Sequence, residues 1–121
     1  MDKLEQIFRM QDAFNRELRE TRNLDFAPSE WIQKETLAMI SELSELLDEV
    51  NFKWWKNPKP IDDDNVKDEL VDILHFFVAM CLDAGMDAGE LHRRYLAKNK
   101  ENFDRQHGKS AKEGYAVSEM E

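Results

Sequence analysis

A chain of 121 residues, 41% of them hydrophobic, is long enough for one domain with a real core and too apolar for a disordered acidic tail. Its 26 acidic against 17 basic residues leave a formal charge of -9, which argues against a nucleic-acid binder and makes a phosphate ligand compatible only through bridging divalent cations. The one cysteine, Cys81 in an apolar run, excludes an internal disulfide and reads as a buried thiol, and with no signal peptide or membrane-length apolar stretch a cytoplasmic protein is expected.

Four glycines and three prolines leave room for long helices. The first helix is expected from about Asp2 to Arg22, with Leu4, Ile7, Phe8, Phe14 and Leu18 near helical spacing. Pro28 lies in the following loop, and Ser29 is the expected N-cap of a second helix from about Glu30 to Lys53. Asn57-Pro58-Lys59-Pro60 reads as its breaker, and Asp62, Asp63 and Asp64 offer N-caps for a third helix from about Asn65 to Ala84. That helix is apolar almost all round between Leu70 and Leu82, as suits the middle of a bundle. Gly85 ends it, and Asp87 with Glu90 opens a fourth from about Ala88 to Gln106. The expectation is an all-α, four-helix domain over residues 1–108, then a polar tail over 109–121 in which Gly114-Tyr115 docks back.

On a helical wheel of the second helix, Met39, Leu43, Leu46, Leu47 and Val50 fall on one arc, the expected core stripe. Glu35, Glu42, Glu45 and Glu49 fall on the neighbouring arc, with small Ala38 among them. Like charges bordering a core repel unless a cation lies between them. Glu69 and Asp72 are three apart on the third helix, so two helices each offer carboxylates at i and i+3. Four hard oxygen ligands without cysteine suit Mg²⁺ or Mn²⁺ rather than zinc. A merely solvated acidic face is the competing reading.

Glu42-Leu-Ser-Glu45, a gap, then Glu69-Leu-Val-Asp72 resembles the motif of the MazG-like all-α nucleoside triphosphate pyrophosphatases. The Phe52-Lys53-Trp54-Trp55-Lys56 block, the run from Glu69 to Phe77 and the run from Tyr95 to Gln106 are similar to the dimeric, all-α dUTPase branch. The resemblance covers about residues 4 to 108. It implies a MazG-like bundle completed by homodimerisation, and hydrolysis of dUTP to dUMP and pyrophosphate. Glu42, Glu45, Glu69 and Asp72 are then the metal ligands for two or three Mg²⁺ ions, with Mn²⁺ a possible substitute. Glu42 orients and deprotonates the attacking water, with Glu45 the alternative.

Substrate contacts are expected from several places. Tyr95, Lys98, Asn102 and Arg105 form one stripe on the fourth helix, facing the phosphates, with Asn99 beside them for the sugar. Trp54, Trp55 and Phe77 are candidates to stack on the base, each with core packing as the alternative and Trp55 the one that best suits a core. His75, three residues after Asp72, and the amides of Gln11 and Asn15 are candidates to contact the uracil, while Trp31 is assigned to packing. Three rival readings stand beside dUTPase: a pyrophosphatase for dCTP or a damaged nucleotide, a di-iron carboxylate bundle, and a non-catalytic helical interaction module. The di-iron pattern wants Glu-x-x-His on two helices, and only Asp72-x-x-His75 approaches it. Expected partners are the nucleotide and a second copy of the chain, with no nucleic acid and no membrane.

Overall fold

The computed structural model describes residues 1–117; residues 118–121 of the expected tail lie outside the described residues. It is all-α, with four helices and no strand among the described residues: α1 (Lys3–Thr21), α2 (Pro28–Glu49), α3 (Asp63–Asp83) and α4 (Ala88–Gln106). The chain divides into two compact units, Met1–Asp87 and the stretch from Ala88 onward. None of these helices is long and apolar enough to cross a membrane.

Local chemistry sets the helix ends. Asp2 accepts from the Glu5 backbone at 2.8 Å, and Asp62 accepts from the Asp64 and Asn65 backbones, so both side chains occupy donors that a helix start leaves bare. α2 departs from expectation. It starts at Pro28 behind an Ala27 cap with no side-chain bond, and Ser29 lies inside the helix. Proline has its φ preset for the first helical position and no N–H to be capped there.

All four helices end alike. The residue after each cap has positive φ (Asn23, Asn51, Gly85 and Gly108), and the next amide reaches back to a carbonyl five residues earlier. This is the Schellman arrangement, which favours glycine and then asparagine because of that positive φ. It stops α2 at Glu49, well short of Lys53. The Asn51 side chain then donates to the Lys59 carbonyl and accepts from the Lys59 amide, at 2.9 and 3.0 Å, pinning the loop that carries the tryptophans.

In the first unit α3 packs against both α2 and α1. Val78, Ala79 and Cys81 are buried there with Phe8 of α1, as an all-apolar third helix requires. Burial pushes the Cys81 thiol pKa up, which keeps it protonated. The core stripe expected on α2 is rotated. Leu43, Leu47 and Val50 are exposed in the single chain, along with Leu37 and Ile40, whereas Glu35 is buried and Glu42 half-buried. Met39 and Leu46 of the expected stripe stay half-buried. Ile7, Met10 and Phe14 of α1 and Leu70, Val71, Leu74 and Phe77 of α3 are also exposed.

In the second unit the chain after α4 folds back on that helix. Ser110 donates to Glu101 at 2.6 Å, the Arg105 guanidinium lies 5.3 Å from the Tyr115 ring centroid, and Ala116 is buried.

Candidate active site

The inward rotation of α2 brings its acids against those of α3. Glu42, Glu69 and Asp72 each offer a carboxylate oxygen, all within 4.8 Å of one another. Glu45, one turn beyond Glu42, is exposed, yet its charge and its side chain act on both Glu42 and Glu69. Among the described residues, Oε2 of Glu42 and Oε2 of Glu69 are buried without a donor. Acceptors facing acceptors need either a proton or a cation between them.

The electrostatics follow from that crowding. Glu69 is pushed up to about 7, by burial first and then by hydrogen bonding and charge from Glu42 and Glu45. Glu42 is also raised: its hydrogen bond with Glu69 pulls it down, but burial and the charges of Glu45 and Asp72 outweigh that pull. Without a cation that crowding favours a proton on the Glu42–Glu69 pair. A divalent ion satisfies both orphaned oxygens instead, and three hard carboxylates without sulfur or imidazole fit Mg²⁺ or Mn²⁺.

From these acids a cavity of about 420 Å³ runs along the inner face of α2. Glu42 and Asp72 line one part, and Gln11, Asn15, Ala38, His75 and Phe76 line it further on. Arg19, Trp31, Lys34 and Glu35 complete the wall, with Glu35 about 10 Å from Glu42 at helical rise. Gln11 and Asn15 are both buried and joined by a bond from Nε2 of Gln11 to Oδ1 of Asn15 at 2.9 Å. That bond leaves one amide oxygen and one amide nitrogen of the pair available to a ligand.

At the far end Arg19 joins three helices. It donates to Oε1 of Glu35 at 2.9 Å and to both oxygens of Asp83, at 3.0 and 3.1 Å. Its guanidinium carbon lies 3.9 Å from the centroid of a Trp31 ring, and Trp31 packs edge-on against Phe26. Glu35 is pushed up to about 8, by burial first and then by Asp83, with Arg19 pulling the other way.

The structure thus places Gln11, Asn15, Glu42, Asp72 and His75 on one cavity, with Glu69 and Glu45 beside it. It does not bring Trp54, Trp55 or Phe77 to that cavity. Trp54 is 85% exposed, the two tryptophans pack against each other at 5.4 Å, and it is Phe76, not Phe77, that faces inward. Tyr95, Lys98, Asn99, Asn102 and Arg105 all lie on α4, in the second unit. There Asn99 donates to the Tyr95 hydroxyl at 3.4 Å and Arg105 pairs with Glu101 at 3.1 Å. Sequence reasoning missed Arg19, Lys34, Glu35 and Phe76 as cavity residues and gave Trp31 to packing alone. A signal was present for two of them: Arg19 continues the Gln11–Asn15 spacing by one turn, and Glu35 stands two turns before Glu42.

Comparison with known proteins places this arrangement. The sequence model of a family described as dUTPase matches residues 3–88, which contain α1 to α3 and every cavity residue. A dCTP pyrophosphatase of Enterobacteria phage T4 is 36% identical over 60% of this chain and 51% of its own length. A dCTP pyrophosphatase of Enterobacteria phage LZ5 is 35% identical over 61% of this chain and 43% of its own. The chain spans about half the length of these curated relatives, and no solved structure matches it. With the acids, the amide pair and the histidine all inside the matched stretch, the chain belongs to the all-α dUTPase family.

Proposed function

We propose that this chain is a magnesium-dependent nucleoside triphosphate pyrophosphohydrolase that converts dUTP and water to dUMP and pyrophosphate. One observation carries the reading: a single cavity joins converging carboxylates, at one part of its wall, to a buried pair of amides at another. That is the layout a nucleotide needs, with phosphates at the acids and base at the amides. A divalent ion held by Glu42, Glu69 and Asp72, with Glu45 beside them, supplies neutralisation of phosphate charge and acidification of a bound water.

The chain's own groups do the rest. By its place in the motif Glu42 is assigned the proton of the attacking water, with Glu45 the alternative base. Gln11 and Asn15 offer one acceptor and one donor to the pyrimidine edge, and His75 flanks them. Two or three ions and a homodimer complete the proposal. Apolar stripes exposed on α1, α2 and α3 support the homodimer, because a second copy would bury them.

A second reading, dCTP as substrate, is favoured by the names of the two phage relatives. The amide pair does not oppose it. One donor and one acceptor match the carbonyl and ring N–H of uracil, and equally the ring nitrogen and exocyclic amine of cytosine.

Pyrophosphate release from each common nucleoside triphosphate, with and without Mg²⁺, tests the reading. We expect release from dUTP only with the metal, and a loss of about 10²-fold or more in Glu42→Gln. Release from dCTP alone moves the assignment to the second reading. No metal-dependent release from any of them leaves a non-catalytic helical module.

A further inference from the structure

The amide pair reads a pyrimidine edge without choosing between 4-oxo and 4-amino bases, so a choice needs another group. We propose, resting on the nucleotide reading above, that Arg19 is a specificity-determining residue: held by Glu35 and Asp83, it donates to the carbonyl oxygen at position 4 of the base and so favours uracil over cytosine.

Three observations converge on it. The first is place. Arg19 follows Asn15 by one helical turn on the cavity wall, and an α-helical side chain leans toward the helix start, here toward Asn15. Its anchor Glu35 lies about 10 Å along α2 from Glu42. With phosphates at the acids, position 4 is the part of the base that points farthest from them.

The second is hydrogen-bond capacity. A guanidinium has five N–H groups, and three of Arg19's meet Glu35 and Asp83. Among the described residues the other two, including the Nε–H, find no acceptor. The side chain remains 25% exposed, so a ligand can reach it. Donors accept the company of a carbonyl oxygen, whereas an exocyclic amine brings only further hydrogens.

The third is rigidity and charge. Two carboxyls fix the fork in plane and Trp31 stacks on its face, so little side-chain entropy remains to be lost on binding. Oε2 of Glu35 is buried without a donor, which a proton shared with Asp83 resolves. In that state one cation faces one anion, and the wall does not repel a carbonyl oxygen as two carboxylates would.

A mere structural clasp is the competing explanation, and substrate ratios separate the two. We would measure kcat/KM for dUTP, dCTP and the 4-thio analogue of dUTP, with Mg²⁺, on the full chain and on Arg19→Lys, Arg19→Met and Glu35→Gln. The proposal expects wild type to favour dUTP and to lose activity on the 4-thio analogue, whose sulfur is a poor acceptor. Arg19→Met should lose about tenfold or more on dUTP with little change on dCTP, and its 4-thio penalty should vanish. Arg19→Lys should fall between, and Glu35→Gln, whose amide keeps the clasp, should preserve the ratio. An equal loss on dUTP and dCTP overturns the proposal in favour of a clasp, as does a wild-type preference for dCTP. Should Arg19→Met fail to fold, the 4-thio analogue on wild type decides, and no penalty there overturns the proposal. Release from no nucleotide overturns the enzymatic reading and this one with it, whereas release with an unchanged ratio overturns this one alone.

Discussion

Glu35 and Glu42 stand two turns apart on the inner side of α2, and each leaves one buried oxygen without a donor. Glu42 has three acids around it and suits a divalent ion; Glu35 has an arginine and one acid, and suits a proton. The Glu35 carboxyl, at about 8 when folded and near 4.5 when unfolded, binds its proton more tightly in the folded state. Between those values the unfolded chain has released a proton that the folded chain keeps, so this group's contribution to stability falls as pH rises through the window. Glu35→Gln keeps a donor for Asp83 and an acceptor for Arg19 but cannot ionise. Its urea midpoint should therefore match wild type near pH 5 and exceed it above pH 8, and parallel curves across that range would refute the shared proton. The acids were legible from sequence because i, i+3 spacing on two helices is a local pattern. Arg19's place on the cavity wall had a sequence signal but its ion pairs did not, since its partners lie 16 and 64 residues away and only packing brings them together.

At the scale of elements, the helix ends show which chain signals are decisive. Prolines at positions 58 and 60 drew the expected end of α2 too far along, because a proline marks where a helix cannot continue, not where it stops. Asn51 stops it, with φ at 59° and a side chain bonded twice to Lys59. Asn51→Ala removes both bonds and puts a β-carbon residue without a compensating amide in the left-handed region. It should cost about 2 kcal/mol in chemical denaturation, and Asn51→Gly less, since glycine keeps the backbone but not the bonds. Equal costs would show that the side-chain bonds alone matter. The wheel of α2 separated the two arcs correctly but assigned them by hydrophobicity. The arc that meets α3 carries Glu42, which converges there with Glu69 and Asp72, and a hydrophobic scale ranks that arc as the solvent side.

For the whole molecule, the consequence of that rotation is a large apolar surface left on one chain. Leu37, Ile40, Leu43, Leu47 and Val50 follow one side of α2, and a groove of about 500 Å³ between α1 and α3 is lined by Ile7, Met10, Phe14, Val71 and Leu74. Gln11, Phe14 and His75 line both this groove and the cavity beside the acids, so whatever fills the groove also steadies the amide and the imidazole. Sedimentation at micromolar concentration should give a dimer, and Leu74→Asp in the groove should give a monomer that still binds Mg²⁺ less tightly; a monomeric wild type would count against assembly.

α2 thus works as a two-sided rod, with carboxylates along one edge and leucines along the other. Under the proposed assembly a second copy covers the leucine edge; its loss would let the rod roll, and a roll of a few degrees would displace the carboxylates opposite. Specific activity should then depend on how dilute the protein is, dropping per chain as subunits separate and recovering on reconcentration. If that holds, the proposed enzyme's rate would report its own abundance.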